Sequence, residues 1–166
     1  GKIMKKILFF LFISFFYITS INAAITTKPV LNLETAKLMA QACLDLAVEE
    51  KWKINVAIYE SPGSLKYYAA MDGSYPTSEL IAHIKGKTSA GLPFTTRSLS
   101  EMAFNSDNIS EGIATIPDIA LIPGGVPILL NDGTHLGGIG VSGSSGENDE
   151  TCALAAVNKG LKIIYE

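Results

Sequence analysis

The sequence holds few of the residues that metal and redox chemistry usually require: two cysteines, two histidines and one tryptophan among 166 residues. It has no C-x-x-C, C-x-x-C-H or H-E-x-x-H pattern, so the motifs support neither covalent c-type haem nor a standard zinc site. Cys43 and Cys152 each lie on an apolar helical face. Two cysteines without a closely spaced framework favour buried free thiols, with a disulfide as the alternative if the chain is exported.

Basic residues are also in the minority. The sequence has thirteen lysines and arginines and sixteen acidic residues, which gives a net charge of −3. Three of the lysines lie in the first six residues, so the rest of the chain is still more acidic. A domain with this balance lacks the basic surface that binds phosphate backbones. We therefore expect no nucleic-acid partner.

Apolar runs long enough to cross a bilayer are missing too, because the longest, residues 7–21, is shorter than the ~20 residues that a span needs. Lysines precede this run and Asn22-Ala23-Ala24 follows it. The pattern predicts a secretory signal peptide over residues 1–24, with Gly1 to Ile3 as a cloning scar or upstream start. We expect an exported, periplasmic or extracellular protein with one domain over residues 25–166. Membrane contact is expected only through an uncleaved leader.

The first half of that domain predicts a helix followed by a hairpin. Asn32 is a good N-cap, and the apolar spacing behind it indicates a helix over residues 33–51. Two β-rich runs, residues 54–60 and 65–71, flank a short Pro-Gly turn. Such a pair is typical of an antiparallel β-hairpin.

Two further helices are predicted next. Thr77 or Ser78 should cap the first, Gly86 and Gly91 weaken it, and Pro93 ends it. Its expected apolar face comprises Leu80, Ile81, Ile84 and Thr88. The capping-box pattern from Ser98 to Glu101 predicts a short helix through Phe104, and we expect mobility over the polar residues 105–115.

The last part of the chain predicts three strands and a closing helix. Residues 119–122 and 126–130 read as strands, with Pro127 placing its strand at an edge or a bulge. Asn131-Asp132-Gly133 predicts a tight turn into a glycine-rich strand over residues 136–143. The helix that follows carries Ala153, Ala156, Val157 and Leu161 at helical spacing. The element order predicts an α/β (α+β) sandwich with a five-stranded, mainly antiparallel sheet flanked by helices.

One motif in the glycine-rich strand is misleading. Gly138 to Gly143 fits G-x-G-x-x-G, the outline of a dinucleotide fingerprint. That fingerprint needs a second parallel strand with an acidic residue about 20 residues further on. Only a short segment follows the last predicted helix, so we reject this interpretation.

Several segments together resemble a known family. They are residues 32–47, Asp72-Gly73, Ile81-Ala82 with Lys85 and Thr88, Pro123-Gly-Gly-Val-Pro-Ile128, and Gly138-Ile-Gly-Val-Ser-Gly143 with Asp149-Glu150 and Ala155-Ala156. In this order they resemble the GlcG/HbpS family of haem-binding-protein-like, profilin-like domains, over nearly all of the mature chain. The resemblance implies a homo-oligomer and, in some members, binding of haem or iron outside the cytoplasm. Gly86 and Thr95 depart from the usual family pattern.

The candidate ligand-binding residues lie on the second helix and in the Pro-Gly-Gly loop. His83 could supply a neutral imidazole to haem iron, although a helical histidine is more often a packing residue. Lys85 could pair with a propionate or another carboxylate, with a solvated lysine as the alternative. The remaining candidates at a shared pocket edge are Thr88, Pro123, Gly124 and Gly125.

Acidic residues at the start of the last helix offer a weaker metal site. Glu147, Asp149 and Glu150 could bind a hard cation, but carboxylates at a helix start also stabilise its dipole without any ligand. His135 is expected to be a strand residue beside the turn. Ser142 lacks the G-x-S-x-G spacing of a hydrolase nucleophile, so we name no catalytic residue.

The leading hypothesis is an exported, oligomeric small-ligand-binding module with haem or iron as its ligand, and not an enzyme. The first alternative is an accessory protein or enzyme that acts on a small carboxylate such as glycolate. The second is a ligand-free structural or sensor-partner protein. A shared fold does not by itself decide among them.

Overall fold

The computed structural model describes residues 28–61, 63–104 and 110–166. The predicted leader and part of the stretch expected to be mobile lie outside these residues. No helix within them is long and apolar enough to cross a membrane. The helices are α1 Leu33–Glu49, α2 Pro76–Gly91, α3 Thr96–Phe104 and α4 Gly146–Tyr165, with a 3-10 helix at Glu111–Thr115. The strands are β1 Asn55–Glu60, β2 Ser64–Ala70, β3 Gly125–Leu129 and β4 His135–Ser142.

The strands form one antiparallel sheet in the order β2-β1-β4-β3. Strand alternation sends Val56 and Ile58 to the face that α1 and α4 cover, where the main hydrophobic core lies. It sends Ala57 and Tyr59 to the opposite face, beneath α2. The predicted hairpin is confirmed, and so is the edge position of Pro127 on β3. Antiparallel pairing throughout the described sheet also agrees with the rejection of a dinucleotide fold.

The sheet has four strands, and the prediction of a fifth at residues 119–122 is wrong. Two prolines flank this segment, and Asp118 before it has a left-handed backbone with φ 60°. Helix side chains bind its backbone instead of a neighbouring strand. Thr88 Oγ1 accepts from the Ala120 N–H at 2.9 Å, and Thr96 Oγ1 donates to the Ile122 carbonyl at 2.6 Å. The apolar run is therefore a fixed loop.

The helix boundaries follow the capping side chains. Asn32 caps α1 as predicted, since its Oδ1 accepts from the Thr35 N–H at 2.7 Å. For α3 the cap is Thr95, whose Oγ1 accepts from the Ser98 N–H at 3.0 Å, so the helix begins before the predicted capping box. Helix α2 starts at Pro76, earlier than expected, and α4 continues through Tyr165.

The prediction of free thiols is wrong, because Cys43 and Cys152 form a disulfide. Their Cα atoms are 4.8 Å apart, and both side chains are fully buried where α1 packs against α4. The two cysteines are 109 positions apart in the sequence, so no local pattern indicated this proximity. The bond joins the first helix to the last on the same face of the sheet.

Helix α2 lies directly on the backbones of β1 and β4 because the facing residues are small. A β-carbon at Gly86 would lie 2.9 Å from the Ala57 carbonyl oxygen, and one at Gly140 would collide with the Ala82 carbonyl. The predicted apolar face of this helix is therefore only partly correct: Thr88 is buried, but Leu80 is 59% exposed. The buried residues of α2 are Ser78, Ala82, Lys85, Gly86, Thr88, Ser89 and Ala90.

Gly140→Ala should lower the free energy of unfolding by about 3 kcal/mol, since the new methyl group forces two packed backbones apart. Urea denaturation would measure the loss. Gly91→Ala is the matched control, because a β-carbon there meets no atom within 4 Å and alanine favours the helix. Equal stability of Gly140→Ala and the wild type would show that the close contact between α2 and β4 is not required.

Candidate functional site

His83 lies on the outer part of α2 in a cluster with two tyrosines from the hairpin. Its Nδ1 is 2.6 Å from the Tyr59 hydroxyl on β1. The Tyr68 ring of β2 stacks on the imidazole at 4.8 Å between centroids, and the Tyr59 ring meets it edge-on at 5.9 Å. Among the hydrogen bonds of the described residues, none involves His83 Nε2. The cluster therefore holds the imidazole at Nδ1, and no described residue is hydrogen-bonded to Nε2.

The Tyr68 ring is itself held by a chain of hydrogen bonds. Its hydroxyl donates to Asn55 Oδ1 at 2.8 Å, and Asn55 Nδ2 donates to Ser78 Oγ at 2.7 Å. Ser78 in turn donates to the Tyr75 carbonyl at the start of α2. Asn55 and Ser78 are buried, so the network connects the sheet to the first turn of the helix. It fixes the aromatic face against which His83 packs.

Burial determines the protonation state of this cluster. It lowers the pKa of His83, with Glu79 opposing the shift and Lys87 adding to it. Burial also raises the pKa of Tyr59. A pKa below the ordinary histidine value favours the neutral imidazole at pH 7. A neutral imidazole is the form that binds transition metals and haem iron.

The surface of α2 around His83 is amphipathic. Leu80 and Lys87 lie three residues before and four residues after the histidine, which places all three on one helix face. Both flanking side chains are exposed, and Lys87 Nζ lies 5.9 Å from the centre of the Tyr59 ring. This face can offer an apolar contact, a nitrogen ligand and a positive charge to one molecule.

Lys85, another predicted ligand-binding residue, points to the interior of the protein. It is 1% exposed, and its Nζ donates to Asp149 Oδ2 and to the Val141 carbonyl, both at 2.9 Å. Asp149 is 2% exposed, and its Oδ1 accepts from the Ser144 N–H at 3.0 Å. Burial lowers the pKa of Lys85 and raises that of Asp149, against the attraction between the two groups. This ion pair joins α2 to the start of α4.

The Pro-Gly-Gly loop closes over that ion pair. Gly124 has φ +122°, and a β-carbon there would lie 2.7 Å from Lys85 Nζ. The Gly125 N–H donates to Thr96 Oγ1 at 2.9 Å, and Pro123 packs against Gly146 at the start of α4. Thr88 holds the preceding loop through Ala120. Lys85 and the loop glycines therefore do meet, as part of the packed interior and away from His83.

The acidic residues at the start of α4 face cations of the protein itself. Glu150 Oε2 accepts from Arg97 Nε at 2.5 Å, and Glu147 lies 3.9 Å from the same guanidinium. Asp149 binds Lys85. Within residues 28–61, 63–104 and 110–166, no three His, Cys, Asp or Glu side chains form a metal-binding group. A role for these carboxylates as cation ligands stays a prediction.

The second histidine is engaged differently. His135 Nε2 donates to the Ser89 carbonyl at 2.8 Å, which fixes the first residue of β4 to the end of α2.

Tyr59 and Tyr68 belong to the His83 cluster but were not identified from the sequence. The pairing of the two hairpin strands could have indicated them, since Tyr68 lies opposite Ala57, on the same face of the sheet as Tyr59.

Comparison with known proteins agrees with the predicted family. The family described as "Haem degrading protein HbpS-like" matches residues 31–158. Protein GlcG of Escherichia coli K12 is 30% identical over 116 residues, which cover 70% of this chain and 84% of GlcG. A crystal structure of a double mutant of Streptomyces reticuli HbpS is similar, with a TM-score of 0.74 and 27% identity over 81% of this chain and 89% of that one. A structure of a PduOC–haem complex shares the fold, with a TM-score of 0.70 and 22% identity over 79% and 95% of the two chains.

Proposed function

The chain belongs to the HbpS-like family, and from this premise we propose that it is an exported, homo-oligomeric module that binds haem through His83. The observation that carries the proposal is the state of the His83 ring. Its Nδ1 lies 2.6 Å from the Tyr59 hydroxyl, and its Nε2 has no hydrogen bond from any described residue. A metal-ligating histidine is commonly oriented by a hydrogen bond at its other ring nitrogen.

The surroundings of His83 fit the other parts of a haem. The macrocycle is apolar, and Leu80 and the Tyr68 ring supply apolar surface beside the imidazole. The propionates are anionic, and Lys87 supplies a positive charge on the same helix face. When bound, the iron would add ligand-exchange and one-electron chemistry. The residues of this chain would hold the group and tune its iron through the imidazole.

Export is supported by the disulfide. Disulfides form and persist in oxidising compartments and are rare in the cytosol of most organisms. The Cys43–Cys152 bond therefore agrees with the predicted secretory leader. Lys85 does not support the alternative of an enzyme acting on a small carboxylate, because its ammonium group is paired with the Asp149 carboxylate. Light scattering of the purified protein would measure the oligomer.

Titration of the haem-free protein with hemin should give a saturable change in the Soret band, and His83→Ala should weaken binding at least about tenfold. The loss follows because alanine removes the nitrogen ligand. His135→Ala is the matched control, since that ring already donates to a carbonyl. Equal hemin affinity of His83→Ala and the wild type would contradict ligation by His83, and an absent Soret change in the wild type would contradict haem binding.

A further inference from the structure

We propose that a pocket beside the start of α1 binds a small uncharged molecule that has an aliphatic body and one hydroxyl or carbonyl oxygen. The pocket has a volume of about 370 Å³ and lies between the segment before α1, the β3–β4 hairpin and the end of α4. It is on the side of the sheet that α1 and α4 cover, whereas His83 lies on α2 at the opposite side. The inference is therefore independent of the proposed haem site.

The walls of the pocket are mostly apolar and are held in place by the fold. Seven of the nine described residues that line it have apolar side chains, among them Val30, Leu130 and Ile164. The hydroxyl of Tyr165 at the end of α4 accepts from the Asn131 N–H at 2.7 Å, which fixes this helix to the β3–β4 turn. A preformed concave site of this size with mostly apolar walls is typical of small-ligand pockets.

One polar side chain in the pocket lacks a hydrogen-bond partner. Thr35 in the first turn of α1 is 6% exposed, and its N–H donates to Asn32 Oδ1 at 2.7 Å. A helical threonine hydroxyl can bond to the carbonyl one turn earlier, as Thr88 does to Ile84. For Thr35 that carbonyl belongs to Leu31, which precedes the N-cap, and no described residue is hydrogen-bonded to the Thr35 hydroxyl.

This hydroxyl is open to the pocket. Within the part of the chain that the structure describes, the one fully enclosed side-chain oxygen or nitrogen without a partner is Ser89 Oγ. Since Thr35 Oγ1 also lacks a partner, it retains accessible surface, and Thr35 lines the pocket. A hydroxyl that is largely buried and makes no hydrogen bond is costly. A ligand oxygen that reaches Thr35 removes this cost.

The charge of the lining decides the class of ligand. Among the described residues that line the pocket, none is charged and none is a histidine, cysteine or methionine. An ion that enters such surroundings loses its hydration without gaining a partner. A fatty-acid anion or a haem is therefore a poor occupant. An aliphatic alcohol fits, because its chain contacts the apolar walls and its oxygen can bond to Thr35.

Binding is tested by adding 1-octanol to the haem-free protein and recording ¹H–¹³C NMR spectra of the methyl groups. We expect saturable shifts at Leu130, Leu136 and Ile164, and none at Leu80 beside His83. Each methylene removed between octanol and hexanol should weaken binding about fourfold, because less apolar surface is buried. Octanoate at pH 7 should bind at least about tenfold more weakly than octanol. Equal affinity for octanol and octanoate would overturn the proposal.

Two variants locate the ligand. Ile164→Trp should fill the pocket and weaken octanol binding at least about tenfold, whereas Leu154→Trp, on the same helix but outside the pocket, should keep the wild-type affinity. Thr35→Val should weaken octanol binding about fivefold because the hydroxyl is lost. Its control is Thr151→Val, since the Thr151 hydroxyl already bonds to the Glu147 carbonyl. Unchanged affinity in Ile164→Trp or in Thr35→Val would overturn the assignment of the ligand to this pocket.

The remaining outcomes separate this proposal from haem binding. His83→Ala should bind octanol as the wild type does, so the two sites fail or succeed in different experiments. A wild type without saturable shifts would overturn the proposal. So would nuclear Overhauser effects that connect the pocket methyl groups to the chain before Lys28 instead of to octanol. A far-ultraviolet circular dichroism melt of each variant confirms that the fold is retained.

Discussion

Reduction of the Cys43–Cys152 disulfide should lower the free energy of unfolding by about 4 kcal/mol. The bond closes a loop between residues 109 apart in the sequence. In the chain-entropy description a loop of about 100 residues gives close to 4.7 kcal/mol, and typical measured values are 2–4 kcal/mol. Both cysteines are fully buried, where α1 packs against α4. Urea denaturation of the oxidised and reduced protein would measure the difference.

The matched control is the double variant Cys43→Ala/Cys152→Ala. It should be less stable than the oxidised wild type and should not respond to a reducing agent. A wild type whose unfolding midpoint is the same with and without reductant would show that the bond does not form or does not constrain the unfolded chain. That result would also remove the support that the disulfide gives to export.

Lys85→Met should destabilise the protein by about 4 kcal/mol, whereas Lys85→Met/Asp149→Leu should lose much less. Removing one member of a buried ion pair leaves an uncompensated charge in the interior, which typically costs 3–5 kcal/mol. Replacing both members with apolar residues of similar volume is often neutral. Burial lowers the pKa of Lys85 and raises that of Asp149, which agrees with a large desolvation cost for this pair.

A double-mutant cycle by urea denaturation measures this coupling. The exposed Glu147 on the same helix gives a control, since Glu147→Gln should change stability by less than about 0.5 kcal/mol. Additive losses for Lys85→Met and Asp149→Leu would contradict the coupling. If Lys85→Met kept full stability and lost ligand binding, Lys85 would be a binding residue as the sequence suggested.

The local features of this fold could be predicted from the sequence because their signals are local. Asn32 identifies the start of α1, and the Asn131-Asp132-Gly133 turn identifies the β3–β4 hairpin. The glycine-rich composition of β4 is equally local, and α2 packs closely on the bare backbone at Gly138 and Gly140. Each of these conclusions uses conformational properties of residues that are near one another in the chain.

The errors arose where distant parts of the chain decide the outcome. Residues 119–122 have strand-like composition, but Thr88 and Thr96 take the hydrogen bonds that a neighbouring strand would need. The disulfide depends on the packing of the first helix against the last. The sheet backbone lies so close to α2 that only small residues such as Ala82 and Gly86 fit between them, and Leu80 is exposed.

The candidate site shows the same division. His83 could be named as a candidate because an imidazole is a known ligand of haem iron and its helix was predicted. Its partner Tyr59 is 24 residues away in the sequence. The two side chains meet only because of the hairpin register and the packing of α2 on the sheet. Lys85 was identified as a candidate for its charge, but its surroundings are set by Asp149, 64 residues later.

Pulsed electron paramagnetic resonance of the ferric hemin complex, prepared with ¹⁵N-labelled histidine, tests haem ligation by His83 most directly. We expect a hyperfine coupling from a histidine nitrogen in the wild type and in His135→Ala, and its loss in His83→Ala. A complex without histidine coupling in the wild type, or a coupling that persists in His83→Ala, would contradict ligation of the iron by His83.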